Sequence, residues 1–210
     1  MIHHDRPTRI VAACLSAVAG FVDAIGFIEM GGFFVSFMSG NTTRMAVGIH
    51  EGTGAAGLAA GLIALFVSGV VAGSLVGRWA GRHRRPAVLV LVALLLAASP
   101  LLAGAGTWGF AVAAMALAMG AENAVFERDG EVKIGLTYMT GTLVKLGQRL
   151  AAALTGGDRW AWAPFLLLWM GLAAGAVAGA ACYPLMGLHA LWIAAGASVV
   201  LAVAASRLKD

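Results

Sequence analysis

Along this chain the apolar residues neither alternate nor recur on one helix face; they run on with few interruptions. Six such runs occupy residues 10–27, 58–76, 87–102, 108–125, 162–181 and 188–205. Most approach or reach the ~20 residues a helix needs to cross ~30 Å of hydrocarbon. The run at 87–102 is the shortest and carries Pro100 near its end. Between the runs, the stretches 31–50 and 133–154 are only partly apolar and carry Gly beside hydroxyl residues. They are the ambiguous elements on which the architecture turns.

The sequence repeats itself. FMSGNTTRM at 37–45 lies over YMTGTLVKL at 138–146, matching aromatic, Met, hydroxyl, Gly and base in order. Gly20, Asp23, Ala24 and Ile25 fall on Gly120, Asn123, Ala124 and Val125, and the ladder Gly69, Gly73, Gly77 falls on Gly171, Gly175, Gly179. The three landmarks agree on one period of about 100 residues. Each ladder reads GxxxGxxxG, which places glycines on one helix face and lets another helix approach closely. The predicted halves are 1–105, with the broken segment 31–50, and 106–210, with the broken segment 133–154.

Charge decides between topologies. If the two broken segments do not cross, the cytoplasmic side receives the N-terminal Arg6 and Arg9, the cluster from Arg78 to Arg85, Arg128, Lys133, Lys145, Arg149, Arg159, Arg207 and Lys209. Of the 14 basic residues only Arg44 is then left outside, as the positive-inside bias of short loops requires. If both cross, the cluster at 78–85 lies opposite both termini and the bias disappears. Three crossings per half is an odd number, so the second copy enters the membrane upside down. The expected fold is an all-α integral membrane protein. Its six transmembrane helices form an inverted 3+3 repeat, each half has a re-entrant or broken half-helix, and both termini are cytoplasmic.

Composition agrees: 60% of the 210 residues are hydrophobic, 11% are charged, and the mean hydropathy is +0.89. The first run follows two arginines like a signal peptide, but it holds Asp23 and five more runs follow, so it is read as a retained helix. The net charge of +4 sits in short loops, where it orients the chain rather than binding nucleic acid. Cys14 and Cys182 lie within apolar runs as small hydrophobes. The five histidines, His3, His4, His50, His83 and His189, have no metal-ligand spacing. No metal, cofactor or redox chemistry is expected.

Each broken stretch fits an excursion to half depth. Residues 33–37 extended cover ~17 Å, residues 40–50 as helix cover ~16 Å, and half the hydrocarbon core is ~15 Å. Irregular backbone at that depth is tolerated only beside protein or a water-filled cavity. Ser39, Gly40, Asn41 and Thr42, and in the other half Thr140, Gly141 and Thr142, are residue types that cap helix N-termini. Two half-helices entering from opposite faces would aim their positive ends at a shared midplane site for an anion, a carboxylate or a polar solute. The plainer alternative is a glycine-permitted kink. Asp23, and Glu122 with Asn123, place polar or ionisable groups at membrane depth, where such groups are functional candidates. Arg44 and Lys145 lie about one turn into the half-helices. Their economical partners are Asp23 and Glu122, through ion pairing or proton coupling.

At GFVDAIGF, FVSFMSGNTTRMAVGI, GAENAVFE and TYMTGTLVKLGQRLA the chain resembles the YoaK-like bacterial membrane proteins, a family named for a domain of unknown function. The likeness covers nearly the whole chain. Two positions depart from the pattern: Ser39 stands where Thr is expected, and Glu122 stands where Gln is expected, which adds a charge. The resemblance implies a small multi-span inner-membrane protein and supplies neither substrate nor site.

The function expected is a small-solute transporter or channel, with a membrane scaffold or assembly protein as the alternative. An enzyme is not expected, because Ser39 has no evident base at a matching depth. Six spans are few for one chain to enclose a path, and a glycine ladder offers a face for a homodimer.

Overall fold

In the computed structural model the described residues are 6–128, 131–132 and 134–208. His3, His4, Lys133 and Lys209 of the preceding account lie outside them. The chain is helical almost throughout: α1 (Arg6–Glu29), α2 (Met38–Glu51), α3 (Ala55–Ala80), α4 (Arg84–Gly104), α5 (Trp108–Glu122), α6 (Met139–Leu154), α7 (Ala163–Met186) and α8 (Leu191–Ala205). Short 3-10 turns at Gly81–His83 and Gly187–Ala190 separate α3 from α4 and α7 from α8. A two-residue antiparallel pairing of Glu127–Arg128 with Glu131–Val132 precedes α6. Three helical stretches are long and apolar enough to cross a membrane: Arg6–Glu29, Ala55–Gly104 and Ala163–Ala205, the last two each containing a pair of helices. Trp108–Glu122 is a shorter apolar helix. The protein is a membrane protein.

Every apolar run falls mainly on a helix, and several helices outrun their runs. Helix α4 continues through Pro100 to Gly104, although proline gives up one backbone hydrogen bond there. Pro100 is buried, and the surrounding helices hold it in place.

Two clusters of buried side chains fix the helix directions. The first joins Val22 and Ile25 of α1 to Ala59 of α3, Leu96 of α4, Met115 of α5 and Leu191 of α8. The second joins Val11 and Leu15 of α1 to Leu89 of α4, Val125 after α5, Leu168 of α7 and Ala202 of α8. Helices α1 and α4 therefore run from the second cluster to the first, and α5 and α8 run the other way. Val76 of α3 packs on the second cluster and Tyr183 of α7 on the first, so α1, α3, α4, α5, α7 and α8 alternate in direction.

The main packing partners are exchanged between the halves: α1 lies along α7, α3 along α5, and α4 along α8. The glycine ladders make the first two approaches. A methyl group at Gly171, Gly175 or Gly179 would run into the carbonyl oxygens of Ala13, Ala17 and Phe21 on α1. One at Gly69 or Gly73 would meet those of Leu117 and Ala121 on α5, while Gly77 faces the Arg84 side chain. Gly20 and Gly120 answer from the opposite helices, against Leu172 and Phe66. Hydrocarbon offers no hydrophobic drive to helix association, so this backbone proximity supplies the dispersion contacts instead. Both ladders are consumed within the chain, which leaves neither as a face for a second copy.

Gly175→Ala should therefore destabilise the protein by about 1–3 kcal/mol, the usual cost of overpacking. Gly61→Ala, on α3 with open space around it, should be neutral or stabilise by up to ~1 kcal/mol through helix propensity. Thermal unfolding of both variants in detergent checks the pair.

Candidate functional site

After α1 the chain turns on Gly31 and Gly32, at φ of 62° and 104°, a region closed to ordinary side chains. Residues 33–37 then run back without helical structure. Phe33, Val35 and Ser36 are buried there, and buried peptide groups need partners. One Oδ1 oxygen of Asp23 accepts the N–H groups of Val35 at 2.9 Å and Ser36 at 2.8 Å. Asn41, one turn into α2 and fully buried, treats the Phe34 peptide as a neighbouring strand would. Its Oδ1 accepts from Phe34 N at 3.0 Å and its Nδ2 donates to Phe34 O at 2.7 Å.

The segment before α6 is tied down by a different set of bonds. Thr137 Oγ1 donates to Asn123 Oδ1 at 3.1 Å, and Asn123 Nδ2 donates to Met119 O at 3.0 Å. Ser16 of α1 reaches across the halves, donating to Leu136 O at 3.0 Å. The residue that precedes each short helix has nearly the same backbone shape, Phe37 at φ −92°, ψ 76° and Tyr138 at φ −84°, ψ 56°. Ser16 and Asp23 are seven residues apart on α1, so the two anchored segments differ in depth by ~10 Å.

The polar turn residues occupy the first turn of each short helix and do not cap it, since α2 begins at Met38 and α6 at Met139 with no side-chain cap bond. Thr42 and Thr142 instead donate to the carbonyls of Met38 and Tyr138 four residues back, at 2.9 and 3.1 Å. Asn41 and Thr142 are buried, whereas Ser39, Thr42, Thr140 and Gly141 are exposed or partly exposed on the open face. A Cβ at Gly40 would stand 2.5 Å from the Phe37 ring, and one at Gly141 would meet nothing. Helices α2 and α6 do not pack along one another; α1 and α5 carry the anchors of both starting turns.

The charged residues are arranged differently from the pairing that spacing suggested. Arg44 stacks its guanidinium over the Phe33 ring at 4.8 Å and lies against Gly32, towards the turn and away from Asp23. The long side chain snorkels, and the Asp23 carboxylate is occupied by backbone amides. Lys145 is exposed. Glu122 is fully buried, and neither of its carboxylate oxygens has a hydrogen-bond partner.

Two clamps had no sequence signal. Glu29, at the end of α1, accepts from Trp108 Nε1 of α5 and from the Tyr183 hydroxyl of α7, both at 2.7 Å. Glu127, just past α5, accepts from Ser74 Oγ of α3 at 2.6 Å and pairs with Arg84 of α4 at 2.8 Å. Partial burial works against the Glu127 charge, but the Ser74 hydroxyl and the Arg84 guanidinium outweigh it and hold the carboxyl below its ordinary value. Each clamp ties a carboxylate at the end of a half's first helix to the third helix of the other half. Only the position of the two glutamates after matching helices could have hinted at this.

Residues 11–204 match the model of a family described as "Protein of unknown function (DUF1275)". The chain is 39% identical over 198 residues to a UPF0700 transmembrane protein of Rhizobium meliloti (strain 1021), covering 94% of this chain and 86% of the relative. No solved structure matches it.

Asp23→Ala leaves two buried N–H groups without an acceptor, and each such loss costs about 1–3 kcal/mol. Asp23→Asn keeps one carbonyl oxygen in place and should cost less. Thermal unfolding in detergent should rank wild type above Asp23→Asn and Asp23→Asn above Asp23→Ala.

Proposed function

We propose that this chain, which belongs to the DUF1275 family of transmembrane proteins, moves a small polar or anionic solute across the bilayer as a transporter or channel. The observation that carries this reading is the duplicated break. An irregular, partly buried segment tied by polar side chains, and ending in nearly the same backbone shape, precedes a short helix once in each half. Irregular backbone at membrane depth is tolerated where it is buried in protein or lines a water-filled cavity. Transporters place such discontinuous helices at their substrate sites.

The architecture that fits is six spans, α1, α3, α4, α5, α7 and α8, in two inverted halves. The alternation of helix direction supports it, because α1 and its counterpart α5 run oppositely. Exchanged packing supports it too. Helix α2 begins beside Asp23 and ends with Gly48 against Ala55 and Ala56 of α3, as a segment would that enters and leaves by one side. With α6 doing the same from the other side, the basic residues collect at the end that holds both termini. That end is the cytoplasmic side of a bacterial inner membrane.

The exposed first-turn residues Ser39, Thr42, Thr140 and Gly141, together with Gly40, Asn41 and Thr142 behind them, form the two faces that meet solute. Helix N-termini suit an anion or a carboxylate. A scaffold would tolerate changes on these faces, whereas a transporter would fold and lose activity.

In liposomes containing the purified protein, at least one member of a panel of inorganic anions, small carboxylates and neutral metabolites should show flux. Thr140→Ala should fold normally and weaken apparent affinity roughly two- to tenfold, the effect of losing a hydrogen bond of net worth ~0.5–1.5 kcal/mol. Absence of flux across the whole panel would overturn the reading.

A further inference from the structure

In the duplicated pattern each half carries a carboxyl at neighbouring positions of its first helix, Asp23 on α1 and Glu122 on α5. Their surroundings are opposite. Asp23 is held by two backbone amides at 2.8 and 2.9 Å, and charge-assisted bonds of this kind fix an acceptor in place. Glu122 has no exposed surface and no hydrogen-bond partner for either oxygen. The residue at its place in the first half is Val22, which is also fully buried. The fold therefore needs only an apolar side chain there, and the carboxyl is an addition to it.

Three helices pack on α5: α3, α4 and, more lightly, α1. Their charged residues are Arg78 on α3, Arg84 and Arg85 on α4, and Arg6, Arg9, Asp23 and Glu29 on α1. None of these donates to Glu122. Arg84, which reaches the chain two residues beyond Glu122, is spent on Glu127 and on the Ala124 carbonyl at 3.2 Å. An ionised carboxylate with no partner is too costly to hold in a dry interior, whereas a protonated one can be accommodated.

We propose that Glu122 is the proton-carrying group of this protein, loaded with a proton while it is buried among α3, α4 and α1 and discharged when the bundle opens. Asp23 is a fixed structural carboxylate and carries none. The proton is taken from water on one side, resides on a Glu122 oxygen, and is returned to water on the other side; no other bond is made or broken. The coupling role rests on the transport reading above, while the protonation state can be read without it.

The experiment is infrared difference spectroscopy of the full chain in lipid, between neutral and alkaline pH, with Glu122→Gln and Glu122→Val beside the wild type. The wild type should show the C=O stretch of a protonated carboxyl at neutral pH, and both variants should lack it. Asp23→Asn should retain it. Both Glu122 variants should fold, because a neutral side chain replaces a neutral acid. In liposomes, flux that responds to an imposed proton gradient in the wild type should lose that response in Glu122→Gln. A wild type without the band, a band that survives in both variants, or failure of both variants to fold would overturn the proposal. If the band is present but no solute moves, the transport reading fails and the Glu122 assignment stands. If solute moves with an unchanged gradient response in Glu122→Gln, the coupling role fails alone.

Discussion

A peptide group that leaves a helix inside a bilayer must find its hydrogen-bond partners within the protein, and this constraint organises the molecule. The N–H groups of Phe34, Val35 and Ser36 have left the helix, and Asp23 and Asn41 take them. In the second half a serine of α1 takes the Leu136 carbonyl, and Thr137 is tied by its side chain to Asn123. Because the anchors sit on α1 and α5, those helices must lie centrally. Both are among the most buried in the protein.

Central placement of α1 and α5 has a consequence for packing. Each needs a partner that can come close without bulky side chains intervening, and the glycine ladders of α7 and α3 supply it. Since α7 belongs to the second half and α3 to the first, the exchange binds the two halves into one body. The clamps at Glu29 and Glu127 close the same exchange at opposite ends. One set of contacts thus serves three ends: backbone satisfaction, helix association and the joining of the halves.

Much of this was legible in the residues. Long apolar runs announced the helices because hydrocarbon admits little else, and the Gly-hydroxyl motifs marked where α2 and α6 begin. The ladders foretold close approach, though not which helix would come near, since spacing along one helix says nothing about its neighbour. The partners of Asp23 were missed for a different reason. Sequence reasoning looked for an opposite charge and found Arg44, while the real partners are main-chain amides, which carry no residue-type signal. The Glu29 clamp was illegible because its tyrosine partner lies 154 residues away. Pro100 suggested a helix end that packing overrode.

The central claim is that the segment leading into α2 and the segment leading into α6 open towards opposite faces of the membrane. The direct measurement is cysteine accessibility in sealed inverted and right-side-out vesicles, with Cys14 and Cys182 replaced by serine. Thr53→Cys, in the turn between α2 and α3, should react only from outside, and Arg82→Cys, in the turn between α3 and α4, only from the cytoplasmic side. Labelling of both from one compartment would contradict the account.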